Sequence, residues 1–328
     1  MIGGRRGGPL AALVLLALVW GGSIPATKLG LREIPPLTLT TLRYLVAAPC
    51  FAWMLLRSRP LPPLRASAAA AGLGVLGLGV GQVAQTLGVR AAPASVATVV
   101  SALIPVFVVA LAALRLRQPI GAVQSTGLAA ALCGVALIAG GDPRFFAAAL
   151  TGARTGEAAA TAAHTAALGG VALVLLSAVA IALYYVLSVE LIDRYSVVTI
   201  AALGSLAGAA VLVPMAAWEL GHAAMRVTAL GAGIVLYLGL LVTVAGLWVW
   251  FVALTRLPAR IPAALQYLQP IVGVGASAWL FGDRLDRWFW MGTALVLTGI
   301  ALSAGPGART AARLAPAAAG IRSPDSGV

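Results

Sequence analysis

Charge is scarce in this chain. Lysine, arginine, aspartate and glutamate together make up 9% of its 328 residues, where soluble domains carry about 25%. A surface so poor in charge cannot be covered by water, which excludes an ordinary soluble domain and leaves lipid as the outer environment. Acid is scarcer still, with 9 Asp and Glu against 22 Lys and Arg. There are 2 histidines and 2 cysteines. Both histidines lie outside the apolar runs, while Cys50 and Cys133 sit far apart inside them. That pattern offers no metal-ligand set, no nucleophile triad and no structural disulfide. No glycine-rich phosphate loop is present, which argues against direct coupling to ATP. The chain reads as a non-enzyme with no cofactor and no metal.

What fills the sequence is apolar. Hydrophobic residues make up 61% of it, and the mean hydropathy is +1.00. A bilayer core about 30 Å thick needs about 20 apolar residues per crossing helix. Apolar runs bounded by charge, proline or polar clusters predict ten spans: 9–27, 36–56, 67–88, 94–114, 119–140, 169–190, 196–218, 228–253, 259–281 and 287–305. Residues 142–168 are Ala/Thr-rich and read as a linker, and 307–328 as a disordered cytoplasmic tail. The pair Arg5-Arg6 before an apolar run resembles a signal peptide, but the run continues through Trp20 to Ala26, so an uncleaved first helix is the better reading.

The net charge of +13 does not point to nucleic acid. All basic residues except Arg43 lie near span ends, in loops or in tails, and no basic run interleaves with exposed aromatics. With the N-terminus in the cytoplasm, thirteen basic residues fall on that side and eight on the other. The bias favours both termini inside, in the cytoplasmic membrane. The expected partners are therefore the lipid bilayer and a small-molecule substrate, with the chain a monomer or homodimer.

The halves are related. A shift of 165 positions places Gly74 on Gly239, Pro93 on Pro258 and Pro105 on Pro270, and likewise Gly127 on Gly292, Gly134 on Gly299 and Gly140 on Gly305. Apolar composition alone aligns leucines and alanines, not these punctuating residues. Residues 1–141 and 169–306 then form two repeats of five helices. Five is odd, so the second enters the membrane with opposite topology. The fold class expected is an all-α polytopic membrane protein with two inverted-topology five-helix repeats, the architecture of secondary transporters with a midplane solute site.

Several segments carry a family resemblance: VWGGSIPATK at 19–28, PPLTLTTLRYLVAAPC at 35–50, APASVATVVSALIPVFVVAL at 92–111, LPARIPAALQYLQPIVGVGASAWLFGDRL at 257–285 and WMGTALVLTGIAL at 290–302. In order and spacing the chain resembles the ten-helix EamA branch of the drug/metabolite transporter superfamily. The resemblance implies a transporter. It also implies an acidic residue just after helices four and nine. Asp283 fills the second place, but Gln118 stands in the first. The small multidrug relatives use a glutamate in helix one, which is absent here, and this weakens a proton-coupled cationic-drug reading.

Four sets of residues are candidates for function. Arg43 is an ionisable side chain inside a span, expensive there and functional by default; it reads as an anchor for a solute carboxylate or phosphate, or as a snorkelling structural arginine. Gln82, Gln85 and Ser101, with Gln266, Tyr267 and Gln269, are polar groups deep in spans. Pro105 and Pro270 free the carbonyls of Ser101 and Gln266, so these groups converge on a solute site or act as interhelical glue. Trp20, Tyr184, Tyr185, Trp248 and Trp250 are mid-span aromatics, Trp20 and Trp248 lining a pocket or packing, and the shift pairs Trp20 with Tyr185, which suggests symmetric placement around one cavity. The glycines at 127, 134, 292 and 299 are seven apart and share one helix face. Glu190, with Asp193 and Arg194, flanks the inner end of helix six, solvated or as a proton site. Asp283, Arg284, Asp286 and Arg287 read as a charge cluster capping helix ten. Together these predict an exporter of amino acids or similar metabolites. The alternatives are a drug or hydrophobic-amine exporter, a lipid scramblase or a membrane-embedded enzyme.

Overall fold

Inside lipid a backbone must satisfy its own hydrogen bonds, so an apolar chain of this kind folds into helices. The computed structural model describes residues 7–58, 61–115, 121–140, 158–256, 265–283 and 285–303. Among these residues every regular element is helical. Eight helices are long and apolar enough to cross a bilayer: Leu10–Gly30, Pro36–Arg57, Leu64–Ala91, Ala94–Arg115, Ala122–Ala139, Thr165–Ile192, Val197–Leu220 and Ala229–Trp250. A shorter apolar helix follows at Leu268–Phe281, then a last one at Arg287–Ser303.

Local chemistry sets the helix ends. Pro36 stands at the first position of its helix, where the missing N–H is an orphan in any case. Thr228 caps the Ala229 helix by accepting from Gly231 N at 3.0 Å. Asp286 caps the last helix, its Oδ1 accepting from Phe289 N at 2.8 Å. Gly282 ends the Leu268–Phe281 helix in the left-handed conformation, φ 66°, which glycine adopts at no steric cost.

Several spans differ from regular helices. The first turns at Gly22 between Gly7–Gly21 and Ser23–Gly30. The fourth breaks at 102–103, two residues before Pro105, where Leu103 N bonds Val100 O at 3.1 Å in a tighter turn. A turn residue also stands at Tyr267, before Pro270. The third and eighth spans each contain a π-helical stretch, Val75–Val80 and Tyr237–Ala245. These irregularities recur at the 165-residue offset: 102 maps to 267, and 75–80 to 240–245. Pro49 and Pro214, each inside a helix, are also 165 apart. One helix begins at Ala158 and runs to Ile192, so the end of the stretch read as linker is helical. Residues 142–157, Gln118, Pro258 and the other residues of 257–264, Arg284 and the tail beyond 303 lie outside the described residues.

Glycines set the interhelical distances. A Cβ at Gly134 would stand 2.5 Å from Gly292 O, and one at Gly127 2.8 Å from Gly299 O. The glycine faces read from the sequence are therefore where the Ala122–Gly140 and Arg287–Ser303 helices meet. Along the third span, Gly77, Gly81 and Gly88 receive Tyr184, Ile181 and Val174 of the Ala158–Ile192 helix, and Gly74 meets Gly204. The largest apolar cluster joins Val89, Val99, Val100 and Leu103 to Val174, Val296 and Ile300, uniting first- and second-half helices.

Candidate solute site

Arg43 is the eighth residue of the Pro36–Arg57 helix, about 10 Å along it at 1.5 Å per residue. Two neutral acceptors hold its guanidinium: Nε donates to Thr243 Oγ1 at 2.8 Å and Nη1 to Gln82 Oε1 at 3.0 Å. The π stretch explains the first contact. Thr243 donates to Leu238 O, five residues back, at 2.8 Å, which is the π spacing. Its hydroxyl oxygen is then left to accept from Arg43. Gln82 lies just past the other π stretch. Thr86 Oγ1 donates to Gln82 O at 2.9 Å, and Thr40 Oγ1 to Thr86 Oγ1 at 2.8 Å, which ties the second and third spans around the arginine.

The other candidates extend this network. Gln85, one turn after Gln82, donates through Nε2 to Ser101 Oγ at 3.4 Å, at the residue before the break in the fourth span. Trp20 Nε1 donates to Val242 O at 2.9 Å, next to Thr243, and its ring lies 5.8 Å from that of Trp250. A Cβ on neighbouring Gly21 would stand 2.8 Å from Gln269 O, and Gln269 Nε2 donates to Gln266 Oε1. Tyr267 sits at the turn, packed on the largest apolar cluster. Arg43, Gln82, Gln85, Ser101, Trp20, Gln266, Tyr267 and Gln269 all keep partial exposure.

Two aromatics stand apart. Trp248 is 60% exposed and Tyr185 is 51% exposed; neither contributes to the contacts just described. Tyr185 rests 5.6 Å from Tyr184. The aromatic that packs on Gly77 of the third span is the buried Tyr184. Thr243 was not singled out from the sequence, although it is the only hydroxyl between Tyr237 and Gly246, a signal sufficient to find it.

Further polar contacts gather at the span ends. Lys28 Nζ donates to Val89 O, Arg90 O and Ala92 O at 2.8, 2.9 and 2.7 Å, closing the C-terminus of the third span. Beside it, Leu31, Arg32, Arg90 and Phe281 complete the lining of a recess of about 210 Å3. Asp283 Oδ2 accepts from Ser95 N at 2.8 Å, so Asp283 serves the fourth span rather than the last helix. Glu219, 8% exposed, accepts from Leu37 N, Thr38 N and Thr38 Oγ1 at 3.2, 2.7 and 2.8 Å. Its charge thereby sits at the positive end of the Pro36–Arg57 helix. Glu190 pairs with Arg115 at 2.6 Å on an exposed surface.

Residues 8–140, and again 168–305, match the EamA-like transporter family. The chain belongs to this family. An EamA transporter with these spans is an integral, multi-pass membrane protein. It is 30% identical to a "Probable terminal-alkyne amino-acid exporter" of Streptantibioticus cattleyicolor, over 89% of this chain and 91% of that one. It is 26% identical to a "Probable amino-acid metabolite efflux pump" of Escherichia coli, over 90% and 94%. A solved crystal structure superposes with a TM-score of 0.59 at 18% identity, covering 92% of this EamA chain and 99% of its own, which is a likeness of fold.

Proposed function

We propose that this EamA transporter is a secondary transporter of the cytoplasmic membrane that exports amino acids or similar small metabolites. In this reading ten helices form two five-helix halves of opposite topology, with both termini in the cytoplasm. Solute binds between the halves near the midplane, and alternating access comes from rocking one half against the other. The observation that carries the reading is the polar chain Ser101–Gln85, Gln82–Arg43–Thr243. It joins the halves deep in the membrane, and its side chains keep accessible surface. Polar groups at that depth face a bundle interior or a water-filled space, because lipid exposure is too costly.

The recurrence at 165 residues supports the two-half architecture. The close approach of Gly127 to Gly299 and of Gly134 to Gly292 is what an approximate two-fold axis generates, since the shift exchanges 127 with 292 and 134 with 299. The π stretches add deformable backbone beside the site, in matching places in both halves. The names of the two relatives favour amino-acid solutes. The test is purified protein in liposomes, assayed against amino acids, metabolites and amines with and without a pH gradient. Counter-flow of an amino acid supports the reading, and Gln266→Ala or Trp20→Ala is expected to change apparent affinity several-fold while expression holds. Normal transport by both variants places the site elsewhere.

A further inference from the structure

The charge inventory of the membrane-spanning part is one-sided. Six of the 9 acidic residues lie among the described residues. Glu33 lies in the turn after the first span, Glu190 and Asp193 at the end of the sixth, and Glu219 in the last turn of the seventh, where backbone N–H groups and Thr38 occupy it. Asp283 and Asp286 lie between the last two helices, each capping a helix start. Asp142, Glu157 and Asp325 belong to the stretch between the halves and to the tail. Among the described residues no carboxylate therefore lies near the middle of a span, while Arg43 lies well inside one.

Among the described residues, Arg43 is also incompletely used. A guanidinium carries five N–H donors, and the contacts to Thr243 and Gln82 account for two of them. Both acceptors are neutral, and the only ion pair among the described residues is Arg115–Glu190. A cation held in a low-dielectric interior without an anion is costly, and a well-placed carboxylate offsets that cost. The planar fork of arginine suits a carboxylate bidentately. With Nε and Nη1 fixed from one side by the two π-bulged helices, the Nη2 edge is pre-oriented. The Tyr44 ring, buried against Ala209 and Leu212, lies 5.8 Å from the guanidinium carbon and steadies the cation from behind.

Resting on the reading of this region as the solute site, we propose that Arg43 binds the carboxylate of the transported solute. The site then selects zwitterionic or anionic carboxylates and rejects amines that lack a carboxylate. An amine without an acid group meets a positive site and no counter-charge.

The test is an analogue series on the wild-type protein in proteoliposomes: leucine, its deaminated acid 4-methylpentanoate, leucinamide, and the decarboxylated amine 3-methylbutylamine, each competing for uptake and for binding read by tryptophan fluorescence. Both carboxylates are expected to compete, while the amide and the amine bind at least tenfold more weakly. Arg43→Lys is expected to weaken leucine at least tenfold while keeping acid over amide, and Arg43→Gln to erase the preference. Should Arg43→Gln not fold, Thr243→Val is the second variant; it frees Nε and narrows the acid-over-amide ratio. Equal competition by amine and acid in the wild type, or an unchanged ratio in folded Arg43→Gln, overturns the proposal. The failures separate: rapid amine flux refutes the carboxylate site and leaves the transporter reading standing, whereas no binding and no flux of any solute refutes both.

Discussion

Replacing Gly134 by alanine adds one methyl group at the seam between the Ala122–Gly140 and Arg287–Ser303 helices. The new Cβ would stand 2.5 Å from Gly292 O and 2.8 Å from Val296 Cγ2, where ordinary contact begins at 3.4 Å. The helices must therefore part by about 1 Å, and overpacking of this kind costs about 1–3 kcal/mol. Against that, alanine gains about 1 kcal/mol over glycine in a helix interior. The net expectation is a loss of about 1 kcal/mol. Gly72→Ala is the internal control, because nothing lies within 4 Å of its Cβ, so it gains the helix term alone. The two variants should differ by about 2 kcal/mol. Gly292→Ala strains the same seam, at 2.5 Å from Gly134 O, so one parting of the helices accommodates both methyl groups. The double variant should fall short of the sum by about 1 kcal/mol. The assay is reversible unfolding in mixed micelles, with free energies by linear extrapolation. Gly134→Ala as stable as Gly72→Ala, with additive single and double variants, refutes this account of the seam.

Two further outcomes follow from the span-end contacts. Glu219→Ala leaves Leu37 N and Thr38 N without their buried carboxylate, which should cost about 2–3 kcal/mol in the same assay, with Glu219→Gln recovering part of it. Lys28→Met removes the donor to three carbonyls at 2.7–2.9 Å. Its loss should raise hydrogen exchange at residues 88–92 while leaving the Pro36–Arg57 helix unchanged, as read by mass spectrometry.

The first eight spans were legible because twenty apolar residues in a row have one physical use, and because proline and glycine punctuate them. Pro105 and Pro270 marked the breaks in the fourth span and at Tyr267, since a missing N–H and a crowded ring disturb the preceding turn whatever surrounds it. Gly127, Gly134, Gly292 and Gly299 marked one close seam for an equally local reason: spacing by seven repeats one face. The π stretches were not legible. Nothing in the sequences of Val75–Val80 and Tyr237–Ala245 separates a π from an α register, and these stretches lie where Gly77 meets Tyr184 and Gly239 meets Arg43 O and Val46. Thr243 could be found as the only hydroxyl between Tyr237 and Gly246, but its pairing with Arg43, 200 residues away, could not. Tyr184 and Tyr185 are adjacent and chemically identical, so the helix phase decided which one packs on Gly77. The reach of Asp283 to Ser95 N and of Glu219 to Thr38 spans nearly two hundred residues of sequence, beyond any local pattern.

The site between the halves is tested most directly by water access. With Cys50 and Cys133 replaced by alanine, Gln85→Cys and Gln269→Cys are treated in sealed vesicles of known orientation with a membrane-impermeant maleimide, with and without a transported amino acid. The account predicts labelling of both positions from at least one side of the membrane, and slower labelling when solute is present. Positions 85 and 269 that stay unlabelled from both sides, or label at a rate indifferent to solute, contradict a solute pathway through this network.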